Sequence, residues 1–243
     1  MSAPHEVVSE LLRSRRSVRD FRPDPIPPAL LDAVLADASH APSWSNTQPY
    51  RLAVASGELK DRLQRELTAR FDAAQAALAG GLLGKLKALV TREGLPDGDF
   101  ATNFEYPPDL LAARRATGFG LYRLLGIDRK DHAARTAQMR KNFSFFGAPT
   151  VIFVFVHGGL REFSVLDAGI YLQSLMLSAE ARGLATCAQG ALATWAGPAR
   201  KAFVVPQHYK LICGVAIGYA SAQPVNKYNP GRIQPDGLLL AIR

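Results

Sequence analysis

Cysteine and histidine are scarce in this chain, which has two cysteines, Cys187 and Cys213, and five histidines in 243 residues. The cysteines do not form a CxxC redox pair, and the histidines do not cluster at a spacing typical of metal ligands. We therefore expect neither a metal site nor a disulfide framework. Two free thiols fit a reducing compartment such as the cytoplasm.

Long apolar runs are also missing. The most continuous one, residues 151–156, is far shorter than the roughly 20 residues that a membrane-spanning helix needs. The first residues are polar and amphipathic, without the apolar core of a secretory leader. These absences predict a cytoplasmic protein with no membrane partner.

Positive charge is in excess, because the chain carries a formal net charge of +8 at pH 7. Such a balance favours an anionic partner: a nucleotide-type cofactor, an acidic substrate or a nucleic acid. The charge is scattered, however, and no zinc-finger, helix-turn-helix or RRM-like pattern is present. We therefore expect a small anionic ligand and no nucleic acid.

The one dense group of cations lies at residues 13–22, where five of ten residues are arginine. In an extended segment Arg15, Ser17 and Arg19 project to one side, and Arg16 and Val18 to the other. Two guanidinium groups and a hydroxyl then form a row about 13 Å long, at about 3.3 Å of rise per residue. A row of this length suits an extended anion, although a solvated basic loop has the same composition.

Hydrophobic periodicity predicts a single α+β domain, with a central sheet of about four strands wrapped by helices. Asp109, the pair Asp128 and Asp131, and the pair Ser164 and Asp167 are interpreted as helix caps. Predicted helices span residues 6–13, 29–39, 58–79, 109–125, 128–141 and 164–182; predicted strands span 51–56, 150–156 and 211–219, with 184–188 a short strand or loop. We interpret residues 80–108 as an insertion that is a functional cover or a mobile lid.

Four motifs in chain order carry a resemblance to a known family. They are RRSVRDF at 15–21, APSWSNTQPY at 41–50, GLATCAQGA at 183–191 and GVAIGY at 214–219, followed by a tail with Lys227 and Arg232. Together they resemble the nitroreductase family of FMN-dependent flavoproteins. The GLATCAQGAL and RKNFSFFGAP segments are most similar to its nitrobenzoate-reductase branch. The resemblance implies one domain over residues 1–243, a mostly antiparallel sheet, and an intertwined homodimer with a C-terminal arm.

The resemblance also implies tightly bound FMN at the subunit interface. Arg15, with Arg232 or Lys227, would hold its phosphate through charge-assisted hydrogen bonds. Ser17 would meet ribityl or phosphate oxygens. Arg19 would lie near flavin N1 and O2, where a cation favours the reduced ring. Arg16 is included because the family often uses this position.

Further cofactor contacts come from the other motifs. The resemblance brings Pro42, Ser43, Trp44, Asn46 and Gln48 over the flavin of the partner subunit. Asn46 and Gln48 would fix the loop or bind polar flavin atoms; the alternative is that both are ordinary turn-forming residues. Backbone N–H groups at Gln189 and Gly190 would approach flavin N5 and O4, and Asn142 is a further candidate contact.

The activity that follows is that of an FMN-dependent NAD(P)H oxidoreductase. NADH or NADPH supplies a hydride, and a nitroaromatic compound such as nitrobenzoate is reduced in the same slot by a ping-pong mechanism. We name no catalytic acid or base, and we expect Trp44, Phe145 and Phe146 to stack on the acceptor, although such residues are also common in cores. The alternatives are a quinone or enone reductase, a flavin oxidase, and a non-enzymatic flavin-binding protein.

Overall fold

The computed structural model describes residues 3–240, which form an open four-stranded sheet covered by eight helices. The strands are β1 (Tyr50–Ser56), β2 (Thr150–His157), β3 (Ala185–Gln189) and β4 (Tyr209–Gly218). The helices are α1 (Pro4–Ser14), α2 (Pro28–Ala38), α3 (Gly57–Ala79), α4 (Gly81–Thr91), α5 (Pro108–Leu124), α6 (His132–Arg140), α7 (Arg161–Ala181) and α8 (Gly197–Ala202). Short 3-10 turns at Trp44–Asn46, Lys141–Gly147 and Gly190–Thr194 matter for the site.

The sheet has the strand order β1-β2-β4-β3, and every neighbouring pair is antiparallel. Strand β2 lies inside it and is buried on both faces, which explains its unbroken apolar sequence. Its side chains alternate, so that Phe153 packs into one core and Ile152 into the other. The predicted α+β fold with about four antiparallel strands is confirmed.

Each face of the sheet has its own helical cover. On one face Leu63, Leu67 and Phe71 of α3 pack against the sheet with the 3-10 turn Lys141–Gly147. On the other face α2 and α7 contribute Val34 and Leu175, both fully buried. Between these two helical layers, the segments next to the start of β1 and the end of β3 form the candidate site described below.

Three predicted caps are wrong. Helix α5 begins at Pro108 after Pro107, so Asp109 lies in its first turn. Asp131 alone caps α6, accepting from the Ala134 N–H at 2.8 Å, whereas Asp128 accepts from Lys130 N–H in the turn before it. The residue type and spacing of Asp128 fit a helix cap as well as the Asx turn that it forms before α6.

The capping box predicted for α7 is the third error. The helix begins at Arg161, so Ser164 and Asp167 lie inside it. Ser164 Oγ donates to the His157 carbonyl at 2.6 Å, and Asp167 accepts from the Trp44 N–H. Both side chains therefore bond to segments outside α7, which local spacing cannot reveal.

The predicted insertion divides into helix α4 and an irregular stretch up to Pro107. Its residues 95–102, here called the strap, are bound to the body of the protein by Asp97 and Asp99. The single-domain assignment stays a prediction, and residues 1–2 and 241–243 lie outside the described part. Among residues 3–240, no helix is long and apolar enough to cross a membrane. No cluster of metal-ligating side chains is found there either.

Candidate functional site

The arginine strip (residues 15–21) lies along the outer edge of the sheet, beside β3. Ser17 forms a parallel bridge with Thr186, and the Val18 N–H donates to the Thr186 carbonyl at 3.0 Å. Phe21 then pairs with Ala220 and ends buried. An extended conformation is therefore imposed on the strip by β3 and by the segment after β4.

The strip is extended, as predicted, but Arg16 and Val18, which were predicted to share one side, differ in burial. Val18 is buried in the core and Arg16 is exposed, whereas Arg15, Ser17 and Arg19 are half-buried. Burial raises the pKa of the Cys187 thiol to about 11, and the positive charges of Arg19 and Arg15 oppose that shift. The charges of both guanidinium groups thus act on one buried side chain of β3.

The C-terminal tail returns to the strip through Asn226. Its Oδ1 accepts from the Arg19 N–H at 2.8 Å, and its Nδ2 donates to the Asp20 carbonyl at 2.7 Å. Lys227, the next residue, is exposed beside this contact. Arg232 instead donates to the carbonyls of Pro230 and Gly231, and within residues 3–240 no hydrogen bond links it to the strip.

The tryptophan loop (residues 42–48) connects α2 to β1 and is largely exposed. Pro42 and Ser43 lead into the 3-10 turn, and Ser43 Oγ accepts from the Gln48 N–H at 2.9 Å. Gln48 Nε2 donates to Asn46 Oδ1 at 3.1 Å. The Trp44 side chain is 56% exposed and contacts the Phe163 ring, with centroids 4.6 Å apart. The loop is therefore internally bonded while its outer face stays open.

The end of β3 brings Gln189 and Asn142 together. Gln189 Nε2 donates to the Asn142 carbonyl at 2.8 Å, although the two residues are far apart in sequence. Gln189 Oε1 is buried and has no partner among residues 3–240. A Cβ placed on Gly190 would meet nothing within 4 Å, so the space in front of this residue is open.

Phe145 and Phe146 do not lie at an accessible site. Both have positive φ, and both are buried in the core that α3 covers, where Phe145 packs edge-on against Phe153. They have no free face to offer to a substrate, which corrects their predicted stacking role. Trp44 is the one of the three predicted stacking residues that is exposed.

An apolar cleft of about 640 Å³ lies between α3, α4 and the turn that follows Gly190. Its walls include Phe71, Phe143 and Trp195, whose neighbouring rings are 5.1 and 5.0 Å apart. Ala191, next to Gly190, reaches the same cleft. Sequence reasoning missed it because its walls come from segments spread between residues 71 and 195, which only the tertiary fold brings together.

The sequence also did not indicate the roles of two polar residues in the site region, Asn226 and Asp167. Asn226 has no local signal, since its importance depends on partners at Arg19 and Asp20. Asp167 was noticed only as a cap, and its contact with Trp44 spans 123 residues of sequence.

Comparison with known proteins gives consistent matches. The model of the Nitroreductase family matches residues 12–219. The chain is 33% identical over 219 residues to the 4-nitrobenzoate reductase of Nocardioides sp. (strain LMS-CY), covering 90% of this chain and 82% of that protein. It is 31% identical over 235 residues to the nitrobenzene nitroreductase of Ectopseudomonas oleovorans, with 93% of each chain covered.

Among solved structures, the FMN-dependent nitroreductase NfnB from Mycobacterium smegmatis, in complex with NADPH, superposes with a TM-score of 0.84. Identity to that chain is 30%, and the match covers 99% of this chain and 100% of the other.

Proposed function

The chain belongs to the nitroreductase family, and on that premise we propose that it is an FMN-dependent NAD(P)H oxidoreductase that reduces nitroaromatic compounds, including nitrobenzoates. The observation that carries this proposal is the half-buried row of Arg15, Ser17 and Arg19 beside β3. A row of fixed donors on a sheet edge suits a ligand with a phosphate at one end and a planar ring at the other.

The residues present fit FMN. When bound, FMN supplies the two-electron redox chemistry that the protein's own side chains lack. Arg15 and Lys227 would hold the phosphate, Ser17 the ribityl oxygens, and Arg19 the electron-rich edge of the ring. Gln189, Gly190 and Asn142 would border the opposite edge, where Gly190 leaves open space. Arg16 and Arg232 remain predicted FMN contacts.

The nitroaromatic acceptor and the nicotinamide would use the same slot. We place the acceptor between the tryptophan loop of a second copy and the mouth of the apolar cleft, since Ala191 joins that cleft to Gly190. One slot for two ligands predicts ping-pong kinetics, and no side chain need act as a nucleophile. The chain's part is to bind, to orient and to exclude water.

A homodimer completes the site in this proposal. Val8 and Leu12 of α1 and Phe163 and Leu166 of α7 are exposed on neighbouring helices. Large exposed apolar side chains on neighbouring helices are typical of an interface. We propose that a second copy covers it, and that the tryptophan loop reaches the flavin of the partner. A cytoplasmic location is proposed from the two buried free thiols.

Anaerobic titration of the purified protein tests the activity. We expect FMN absorbance that bleaches on addition of NADH or NADPH and returns when 4-nitrobenzoate or nitrobenzene is added. A protein that binds no FMN, or whose bound FMN is not bleached by either nicotinamide, would contradict the proposal. Faster recovery with quinone or oxygen than with any nitroaromatic compound would assign one of the alternative activities instead.

A matched pair of variants tests the strip. Arg15→Gln removes a half-buried guanidinium, whereas Arg13→Gln removes an exposed one in the last turn of α1. We expect FMN to bind at least about tenfold more weakly to Arg15→Gln, from the loss of a charge-assisted bond. Equal FMN affinity in the two variants would show that the strip does not hold the phosphate.

A further inference from the structure

One face of α7 contacts both ends of the exposed segment that leads into β1. Phe163, Asp167 and Tyr171 are spaced by four residues and so lie above one another on the helix. The Phe163 ring contacts Trp44, and the Tyr171 ring contacts Tyr50, each with centroids 4.6 Å apart. Between them, both carboxylate oxygens of Asp167 accept from the Trp44 N–H at 3.1 Å.

Asp167 is an unusual residue for the middle of a helix, because its side chain is a carboxylate and the residue is only 3% exposed. Burying a carboxylate is costly unless it is paired or hydrogen-bonded. No ion pair to it is found in residues 3–240, so the backbone N–H of Trp44 is its hydrogen-bonded partner there. Burial and the nearby Asp167 charge raise the pKa of Tyr50, whose buried hydroxyl has no partner in the described chain.

The loop that Asp167 touches is strained. Ser45, Asn46 and Gln48 have φ of 48°, 55° and 45°, values that residues other than glycine rarely adopt. Strain of this kind persists only where the surroundings determine the conformation. At the far end of the loop the Pro49 carbonyl accepts from the His157 N–H at 2.8 Å, which fixes the start of β1. The start of the loop is fixed by Asp167.

We propose that Asp167 is a positioning residue, which holds Trp44 and the strained turn after it in the conformation that the site uses. The proposal rests on the proposed function in one respect: the tryptophan loop that Asp167 positions is taken to face a flavin. The positioning itself depends only on the contacts between α7 and the loop.

The test compares Asp167→Ala and the nearly isosteric Asp167→Asn with a control, Ser174→Ala. Ser174 lies on the same helix, and its Oγ donates to the Ile170 carbonyl of that helix. Amide hydrogen exchange over residues 44–48 reports the loop directly, and FMN titration reports the site. We expect exchange to be about tenfold faster and FMN binding about tenfold weaker in Asp167→Ala, with smaller changes in Asp167→Asn because its amide oxygen still accepts.

The outcomes separate the two proposals. Unchanged exchange at residues 44–48 in both Asp167 variants overturns the positioning role, whatever happens to FMN. Faster exchange there with unchanged FMN affinity supports the positioning role and refutes the loop's part in flavin binding. A change of the same size throughout the protein, or in Ser174→Ala, would show general destabilisation and overturn the inference. Asp167→Asn keeps the test valid if Asp167→Ala does not fold.

Discussion

The strap and helix α4 belong to one insertion, yet they are attached to the protein in opposite ways. In the strap, Asp97 accepts from Arg70 and the Gly197 N–H, and Asp99 accepts from Arg200 and the Leu211 N–H. Helix α4 makes a close crossing with α3 at Gly84 and buries Ala88, while most of its leucines face outward.

For the strap, this difference corrects the prediction that the insertion is a functional cover or a mobile lid. Carboxylates that bond backbone N–H groups of α8 and β4 make the strap part of the scaffold. Both parts line the apolar cleft, but α4 has its far side exposed and keeps the character of a cover. One insertion can therefore be part of the scaffold at one end and cover a cleft at the other.

The largest effect expected within the insertion is at Gly98, where the strap passes directly over the 3-10 turn after β3. A Cβ on Gly98 would collide with the Ala193 carbonyl, which is backbone and has little room to move. We expect Gly98→Ala to lower the free energy of unfolding by about 2–4 kcal/mol. Urea unfolding measures this, with Gly231→Ala as the control because a Cβ there meets nothing within 4 Å. Equal stability of the two variants would mean that the strap lifts away freely.

Regular periodicity explains what the sequence could predict of the fold. Strands β1, β2 and β4 and helices α2, α3 and α7 were found near their observed positions because each has a continuous apolar pattern. The site motifs could be recognised by their resemblance to the family because each motif is a continuous stretch of sequence. The strip is extended as expected, because its backbone is bonded to β3.

Contacts between distant segments could not be predicted. Asp99 joins the strap to Arg200 and Leu211 across about a hundred residues, and nothing near Asp99 in the sequence indicates those partners. Phe145 and Phe146 resembled exposed stacking residues, but two successive positive φ values turn both rings into the core. In each case the determining fact is the tertiary arrangement and not a local pattern.

A smaller effect on the free energy of unfolding is expected at an exposed ion pair, which unlike the carboxylates of the strap bonds no backbone group of another element within residues 3–240. Arg140 donates to both carboxylate oxygens of Asp72 at 2.7 Å, but both side chains are about half exposed. The Arg140 hydrogen bond holds the pKa of Asp72 below its usual value, so the pair stabilises the fold above the unfolded pKa. That contribution is lost as the pH falls through the lowered pKa.

Arg140→Gln should therefore destabilise the protein at neutral pH by less than about 1 kcal/mol, because solvent screens exposed pairs. The difference from the wild type should vanish in acid, below the folded pKa of Asp72. Urea unfolding of both proteins across the acidic range measures it. A difference that persists at the lowest pH would mean that Arg140 acts through packing and not through Asp72.

The smallest effect is expected on the outer face of α4. Leu83 is 79% exposed, and leucine and glutamine have similar helix propensities, so Leu83→Gln should change the unfolding free energy by less than about 0.5 kcal/mol. Leu67→Ala in α3 is the contrasting variant, because Leu67 is fully buried and its truncation should cost about 2–5 kcal/mol. A large loss in Leu83→Gln that grows as the protein is diluted would show that a second copy covers α4. The outer face of α4 would then belong to the subunit interface. In that case α4 would be exposed, in contrast to the strap, only in the single chain and not in the dimer.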